Sequence, residues 1–249
     1  MATNPIFDGA GDYIGALALV TDITERRKSA ALAPSHPWLA GTGRISPVRE
    51  SNGLIVEIGD WVFREAARQV QAWQLSIHPT FQVSVNKSPV QFRRDAALYQ
   101  AWRDFLIELS LPPESIVIEI AESVLLEGAD KVVERLRHYR AMGLQVALDH
   151  FGTGYSSVSH LKRFDIDYVK IDQSFVATLD ADDGEMALCE AIIAMAHKLG
   201  LKVVAEGVET KVQRAMLADA GGDYAQGYMI ARAMEAAQRE KMARTQARR

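Results

Sequence analysis

At 249 residues and 48% apolar side chains, the chain is long and apolar enough to bury the core of one large domain. Its net charge is −4, and no Lys/Arg tract occurs before the tail from Lys241 to Arg249, which disfavours duplex nucleic acid as a partner. No apolar run approaches the ~20 residues that span a bilayer, and no signal-peptide pattern opens the chain. The one cysteine, Cys189, lies on the apolar face of a helical pattern, as expected in the reducing cytoplasm.

The first thirty residues differ in pattern from the rest. Residues 5–8 and 13–20 predict a β-hairpin, and Thr21–Lys28 predicts a charged helix with a cap-like start. This combination resembles the last strand and exit helix of a PAS sensor domain. Residues 31–42, rich in Ala, Pro and Gly, predict a linker. The organisation expected is therefore a PAS-tail-like segment at 1–30, a linker at 31–42, a main domain at 43–234 and a helical tail at 235–249.

From residue 60 onward, helices and strands alternate, which is typical of a parallel α/β fold. The predicted helices cover 60–73, 96–109, 129–142, 184–199 and 211–220. The predicted strands cover 81–86, 115–123, 145–149, 168–171, 201–210 and 223–228. Six strands of a (β/α) barrel are thus predicted, and the usual eight would need two more, either absent or replaced by the first segment.

Polar side chains recur where these six strands end, namely Asn86, Glu119, Asp149, Lys170, Glu206 and Gln226. Strand carboxyl ends gather on one face of a parallel barrel, where active sites are built. A single acid at a strand end commonly caps a helix, but six in succession are poorly explained in that way. The oxygens of Asn86, Glu119 and Asp149 suit a hard cation such as Mg²⁺ or Mn²⁺, and no Cys/His cluster indicates zinc.

The Gly-rich segment after the third of these strands is the most specific motif. Residues 149–157 read Asp-His-Phe-Gly-Thr-Gly-Tyr-Ser-Ser, and Tyr-Val-Lys-Ile-Asp follows at 168–172. The two segments together closely resemble the EAL family of cyclic di-GMP phosphodiesterases and receptors. The resemblance implies a TIM-like (β/α) barrel of the EAL type, lacking or replacing its first one or two strands.

The resemblance also implies roles for individual side chains. Asn86, Glu119 and Asp149 match metal ligands, with Glu206 in the metal shell. Lys170 matches the lysine that orients or deprotonates the attacking water, and Glu122 matches the acid that holds the Gly-rich loop. Substrate contacts are implied at Asp149, Glu209, Gln226 and Ser88. Plainer alternatives stay open: a structural ion pair for Lys170, a helix cap for Glu122 and a turn for Asn86 before Pro89.

Three departures from the family pattern bear on activity. No Glu is found where the signature Glu-Ala-Leu places one; if residues 5–20 form the hairpin that opens such a domain, Leu17 takes that position and Thr21 roughly that of the following Arg. His150 replaces the second Asp of Asp-Asp-Phe-Gly, and imidazole is a poor Mg²⁺ ligand, although an idle surface histidine is an equal alternative. Residues 229–234 lack the aromatics that the family more often has after Tyr228 and the Pro that it more often has near Ala233.

The function expected from this pattern is that of a cyclic di-GMP domain with weak or no hydrolysis, acting as a receptor or interaction module. The alternative is a working Mg²⁺- or Mn²⁺-dependent phosphodiesterase that yields pGpG, with its missing acid supplied by Glu25 or a partner subunit. A scaffold that binds no nucleotide is a third class. The resemblance further implies a cytoplasmic homodimer.

Overall fold

The computed structural model describes residues 2–7, 13–19, 54–94, 98–127, 129–154, 161–180, 183–232, 234–236, 238, 240 and 241. The strands are β1 (Ala2–Phe7), β2 (Tyr13–Leu19), β3 (Val83–Lys87), β4 (Ile116–Ala121), β5 (Gln145–Phe151), β6 (Tyr168–Ile171), β7 (Lys202–Ala205), β8 (Tyr224–Ala225) and β9 (Met234–Glu235). The helices are α1 (Leu54–Ser76), α2 (Pro89–Arg94), α3 (Tyr99–Glu108), α4 (Ala129–Ala141), α5 (Gln173–Val176), α6 (Asp183–Lys198) and α7 (Lys211–Asp219).

The sheet is a closed ring. Strands β2 to β8 pair in chain order and in parallel, and β1 lies antiparallel between β8 and β2. Strand β9 pairs antiparallel with the first residues of β1, Ala2 and Thr3, at the opposite end from the pair of Phe7 with β8. The expected TIM-like α/β barrel is therefore confirmed, and all six strands predicted after residue 80 are present. Strand β5 runs two residues further than expected, whereas β4, β7 and β8 end two to five residues earlier.

Two strands before residue 20 complete the barrel. The predicted hairpin is present as β1 and β2, and it pairs with barrel strands on both sides: Phe7 with Ala225, and Ala16 with Val83. These pairings favour the interpretation in which the hairpin opens the barrel over the one in which it is the tail of a PAS domain. The barrel sheet thus includes residues before 43, where the main domain was expected to begin. The predicted exit helix and the 31–42 linker lie outside the described residues.

Alternating side chains divide each strand between two environments. In β4, Ile116, Ile118 and Ile120 join the large core between sheet and helices, whereas Val117 belongs to a separate small cluster. That cluster also contains Ala147, Tyr168 and Val204, one residue each from β5, β6 and β7. Because successive residues of a strand face opposite sides, the small cluster is the apolar filling of the barrel interior.

The helices cover the outside of the ring and bury apolar stripes against it. Helix α1, predicted over 60–73, begins six residues earlier at Leu54 and buries Phe63, Val70 and Trp73 completely. The other predicted helices are confirmed within three residues at either end. Within the part of the chain that the structure describes, no helix has the length and apolar composition needed to cross a membrane.

We expect Thr210→Ala to lower the free energy of unfolding by about 1 kcal/mol, because it removes the N-terminal cap of α7. The Thr210 hydroxyl accepts a hydrogen bond from the Gln213 amide at 3.1 Å, and the Gln213 side chain accepts one from the Thr210 amide at 3.0 Å. Chemical denaturation measures the effect. Thr210→Ser keeps the hydroxyl and is the matched control, so equal losses for the two variants would contradict the capping role.

Candidate active site at the carboxyl ends of the barrel strands

The candidate site lies one layer above the apolar filling of the barrel. Moving two residues along each strand from that filling leads from Val117 to Glu119, from Ala147 to Asp149, from Tyr168 to Lys170 and from Val204 to Glu206. Residues two apart in a strand share a face, so all four polar side chains belong to the interior of the ring at its carboxyl-terminal rim. The same alternation that builds the core therefore builds the site.

Lys170 is the centre of this cluster. Its Nζ lies 2.7 Å from Glu206 Oε1, 3.0 Å from Glu119 Oε1 and 3.2 Å from Asp149 Oδ1. Only 2% of the lysine side chain is exposed. A buried ammonium is tolerated when carboxylates compensate its charge, and here carboxylates from β4, from β5 and from the residue after β7 do so.

Burial and charge act in opposite directions on these groups. Burial raises the pKa of the Glu119 carboxyl to about 7, even though the Lys170 ammonium lowers it. Burial also raises the pKa of Glu206, again against the effect of Lys170. For Lys170 itself burial favours the neutral amine, but the charges of Glu119, Glu206 and Asp149 outweigh it and hold the pKa above its ordinary value. Lys170 is therefore a firmly protonated cation.

The donor set at this rim fits a divalent cation. Glu119 is almost fully buried. Its Oε1 contacts the Lys170 ammonium at 3.0 Å, whereas its Oε2 receives no hydrogen bond from the residues in the described ranges. A buried carboxylate oxygen without a donor is costly unless a cation satisfies it. Asn86 is the strand neighbour of Glu119, and Asp149 is two residues above the level of Glu119 on the next strand. The three residues that resemble metal ligands thus occupy adjoining positions on β3, β4 and β5.

Glu122 holds the Gly-rich loop that follows β5. Its Oε2 accepts hydrogen bonds from the amides of Gly152 at 3.1 Å and Gly154 at 3.2 Å. Both glycines are required by geometry: Gly152 has φ +96°, and a Cβ on Gly154 would lie 2.9 Å from the Glu122 carboxyl carbon. This contact is the one that the family resemblance implies for Glu122, although its catalytic role stays a prediction.

His150 lies at the edge of the cluster and is not an idle surface side chain. Its Nδ1 lies 2.7 Å from Asp172 Oδ2, and its Nε2 lies 3.7 Å from Asp149 Oδ2. Burial lowers the pKa of His150, but Asp149, Asp172 and Glu206 more than offset it and the net shift is upward. Asp172 was missed as a site residue by the sequence interpretation. Its signal was present, because Asp172 follows Lys170 at the two-residue spacing of the strand.

The remaining predicted site residues are Ser88, Glu209 and Gln226. Ser88 accepts a hydrogen bond from the Gln91 amide at 3.2 Å at the start of α2, and the exposed Glu209 donates its backbone amide to Gln213 at 2.9 Å. Gln226 is buried, and its Oε1 receives no hydrogen bond from the described residues. Contacts of Ser88, Glu209 and Gln226 with a substrate stay predictions.

Comparison with known proteins places these features in a family. A model described as EAL domain matches residues 4–233. Over 211 residues, or 84% of the chain, the sequence is 39% identical to the bifunctional diguanylate cyclase/cyclic di-GMP phosphodiesterase MucR of Pseudomonas aeruginosa. It is 38% identical over 75% of its length to the cyclic di-GMP phosphodiesterase PdeR of Escherichia coli. The chain spans 31% of the length of MucR and 28% of that of PdeR.

Solved structures show the same likeness. The PaMucR phosphodiesterase, solved in complex with c-di-GMP, superposes with a TM-score of 0.82 at 36% identity, covering 95% of this chain and 92% of that one. Klebsiella pneumoniae BlrP1, in a manganese/cy-diGMP complex, superposes with a TM-score of 0.72 at 26% identity, covering 93% of this chain and 55% of that one.

We expect Lys170→Met to destabilise the barrel by about 3–5 kcal/mol at pH 8, because it leaves buried carboxylates without their cation. The loss should be smaller at pH 5. Glu119 already binds its proton more tightly in the folded state, with a pKa of about 7 against an ordinary 4.5, so its ionisation destabilises the fold as pH rises through this window. Removing the Lys170 ammonium raises the pKa of Glu119 in the folded state further. The free energy of unfolding then decreases more steeply as the pH rises.

Denaturant unfolding at the two pH values measures this difference. Lys198→Met, at an exposed position in the last turn of α6, is the control and should cost no more than about 0.5 kcal/mol at either pH. A Lys170→Met penalty that is small, or that is larger at pH 5 than at pH 8, would contradict the ion cluster.

We expect Glu122→Gln to loosen the Gly-rich loop without unfolding the barrel, because the amide keeps one acceptor oxygen but loses the charge that strengthens both hydrogen bonds. Amide hydrogen exchange at Gly152 and Gly154 should accelerate at least about tenfold, as a loss of about 1.4 kcal/mol predicts. Exchange in β6, which Glu122 does not contact through these bonds, serves as the internal control. Unchanged exchange at both glycines would contradict the role of Glu122 in holding the Gly-rich loop.

Proposed function

The chain belongs to the EAL domain family, and on that premise we propose that it binds cyclic di-GMP at the carboxyl-terminal rim of its barrel with little or no hydrolysis. The relatives named as cyclic di-GMP phosphodiesterases match this chain over most of its length, and the PaMucR structure with c-di-GMP shares its fold. Cyclic di-GMP as the ligand thus follows from similarity, and the low activity follows from the residues of this chain.

One observation carries the proposed loss of activity. Strand β2 is the parallel neighbour of β3, and Tyr13–Leu19 contains no acidic residue. Counting along the two strands from the Ala16–Val83 pair places Leu17 level with Ser84 and Leu19 level with Asn86. The strand next to the Asn86 position thus brings no carboxylate to the rim, where the family resemblance implies a metal-ligating Glu. Loss of one metal ligand weakens the positive charge that stabilises the transition state at the phosphate, which commonly lowers the rate by orders of magnitude.

The residues that remain retain the means to bind an anionic nucleotide. Asn86, Glu119 and Asp149 would hold a divalent cation, which when bound polarises phosphoryl oxygens and lowers the pKa of water. Lys170 adds a fixed positive charge at the same rim. Because its pKa is held above the ordinary value, Lys170 does not remove a proton near neutral pH; its three N–H groups are directed at Glu119, Asp149 and Glu206 and orient these carboxylates.

The second candidate function is a working Mg²⁺- or Mn²⁺-dependent phosphodiesterase that gives pGpG, its missing acid coming from Glu25 or from a second subunit. The retained cluster of Glu119, Asp149, Lys170 and Glu206 favours this candidate, because a chain without any catalytic role has no evident need for three buried charged residues and a fourth that is partly buried. A cytoplasmic setting and a homodimer belong to the proposal in both versions.

Two measurements on the same preparation separate the candidates. Isothermal titration calorimetry with cyclic di-GMP in the presence of Mg²⁺ or Mn²⁺ should show one site per chain. Chromatography of the reaction should show pGpG release at no more than about 1% of the rate of the EAL domain of MucR, as expected when one charge-stabilising ligand is lost. Glu119→Ala should abolish nucleotide binding, while Glu190→Ala, at an exposed position of α6, should leave it unchanged.

Turnover that exceeds this limit and disappears in Glu119→Ala would establish the phosphodiesterase instead. Absence of cyclic di-GMP binding by the unsubstituted chain would contradict both candidates and would favour a scaffold that binds no nucleotide.

A further inference from the structure

His150 has the geometry of a metal ligand. Its Nδ1 lies 2.7 Å from Asp172 Oδ2, and Asp172 is itself fixed as the N-cap of α5 by the Ser174 amide at 2.9 Å. A histidine that binds a metal through one ring nitrogen nearly always donates a hydrogen bond from the other to a carboxylate or carbonyl, which sets the tautomer and the ring orientation. The Asp172 contact supplies this second interaction and leaves Nε2 as the ligating atom.

The environment of Nε2 has room for a cation. Asp149 Oδ2 lies 3.7 Å from Nε2. This separation is too long for a direct hydrogen bond of about 3.2 Å or less, so no such bond joins the two atoms. Two bonds of about 2.0–2.1 Å to one ion span up to about 4 Å, so a single ion between the two atoms satisfies both.

Glu206 completes a set of three ligands. One potential ligand atom from each of Asp149, His150 and Glu206 lies within 4.8 Å of those from the other two. Lys170 contacts Oδ1 of Asp149 and Oε1 of Glu206, so each carboxylate has its second oxygen for an ion. The position of His150 follows from its backbone: φ is +57°, at an irregularity in the pairing of β5 with β6, and such irregularities redirect side chains next to active sites.

We propose that Asp149, His150 and Glu206 bind one transition-metal ion of the Zn²⁺ class in preference to Mg²⁺. An imidazole with two carboxylates suits Zn²⁺ or Co²⁺, whereas Mg²⁺ favours oxygen ligands and water. Three protein ligands leave an open coordination position, as in catalytic rather than structural zinc sites. The inference rests on the proposed function only in placing this position beside the phosphates of the nucleotide; binding of the ion itself requires no nucleotide.

The test is calorimetric titration of the chelator-treated, tag-free chain with Zn²⁺ alone, repeated in a large excess of Mg²⁺. One Zn²⁺ should bind per chain and should persist against Mg²⁺. Co²⁺ binding, followed by its visible absorption, should show the bands of a site with a nitrogen ligand. His150→Asp should lower Zn²⁺ affinity at least about tenfold without lowering Mg²⁺ affinity, and Asp172→Asn, which keeps an acceptor for the Ser174 amide, should lower it about 10–100-fold.

The matched control is His197→Ala. His197 is an exposed histidine on α6 whose Nε2 lies 2.8 Å from Asp223 Oδ2, so it is also paired with a carboxylate but lies outside the rim. It should leave Zn²⁺ binding unchanged. Circular dichroism of each variant checks the fold. Equal Zn²⁺ affinity in the unsubstituted chain and in His150→Asp, displacement by Mg²⁺, or loss of binding in His197→Ala would each overturn the assignment.

The two proposals fail separately. Nucleotide binding with Mg²⁺ but no preference for Zn²⁺ would overturn only the assignment of His150. Selective Zn²⁺ binding without any cyclic di-GMP binding would overturn only the proposed function.

Discussion

The ion cluster around Lys170 is the interaction on which the barrel interior depends. One ammonium, almost fully buried, contacts carboxylates from β4, from β5 and from Glu206, the residue that follows β7. None of these groups is easily buried alone, because a desolvated charge without a partner costs several kcal/mol. The cluster therefore couples four strands at the rim, just above the apolar filling of Val117, Ala147, Tyr168 and Val204. Its excess of acid over base leaves the rim suited to a cation.

Strand periodicity explains why so much of this arrangement could be predicted from the sequence. Alternation along Ile116–Ala121 and Tyr168–Ile171 identifies the strands, and their carboxyl ends identify Glu119 and Lys170 as interior and close together. The Gly-rich motif after Asp149 predicts a loop that needs an acceptor for its amides, which Glu122 provides. These features depend on local spacing, which a single sequence displays directly.

Other features depend on contacts between distant parts of the chain, and sequence spacing does not display those. The hairpin of β1 and β2 resembles the end of another domain, and only its pairing with β3 and β8 shows that it closes the ring. The early start of α1 at Leu54 is of the same kind, since Ile58 packs against the core and the Ile55 carbonyl accepts a hydrogen bond from the Gln91 side chain at 2.7 Å. For His150, the ring orientation follows from a positive φ and from Asp172, twenty-two positions later in the chain.

The central claim is that the side chains around Lys170 form a rim that binds a cation next to cyclic di-GMP. The most direct measurement is an anomalous difference map from crystals grown with cyclic di-GMP and Mn²⁺. The account predicts a peak within about 2.6 Å of a carboxylate oxygen of Glu119 or Asp149, with nucleotide density beside it. A map with ordered Glu119, Asp149 and Lys170 but no peak at this rim, or with nucleotide bound elsewhere on the barrel, would contradict it.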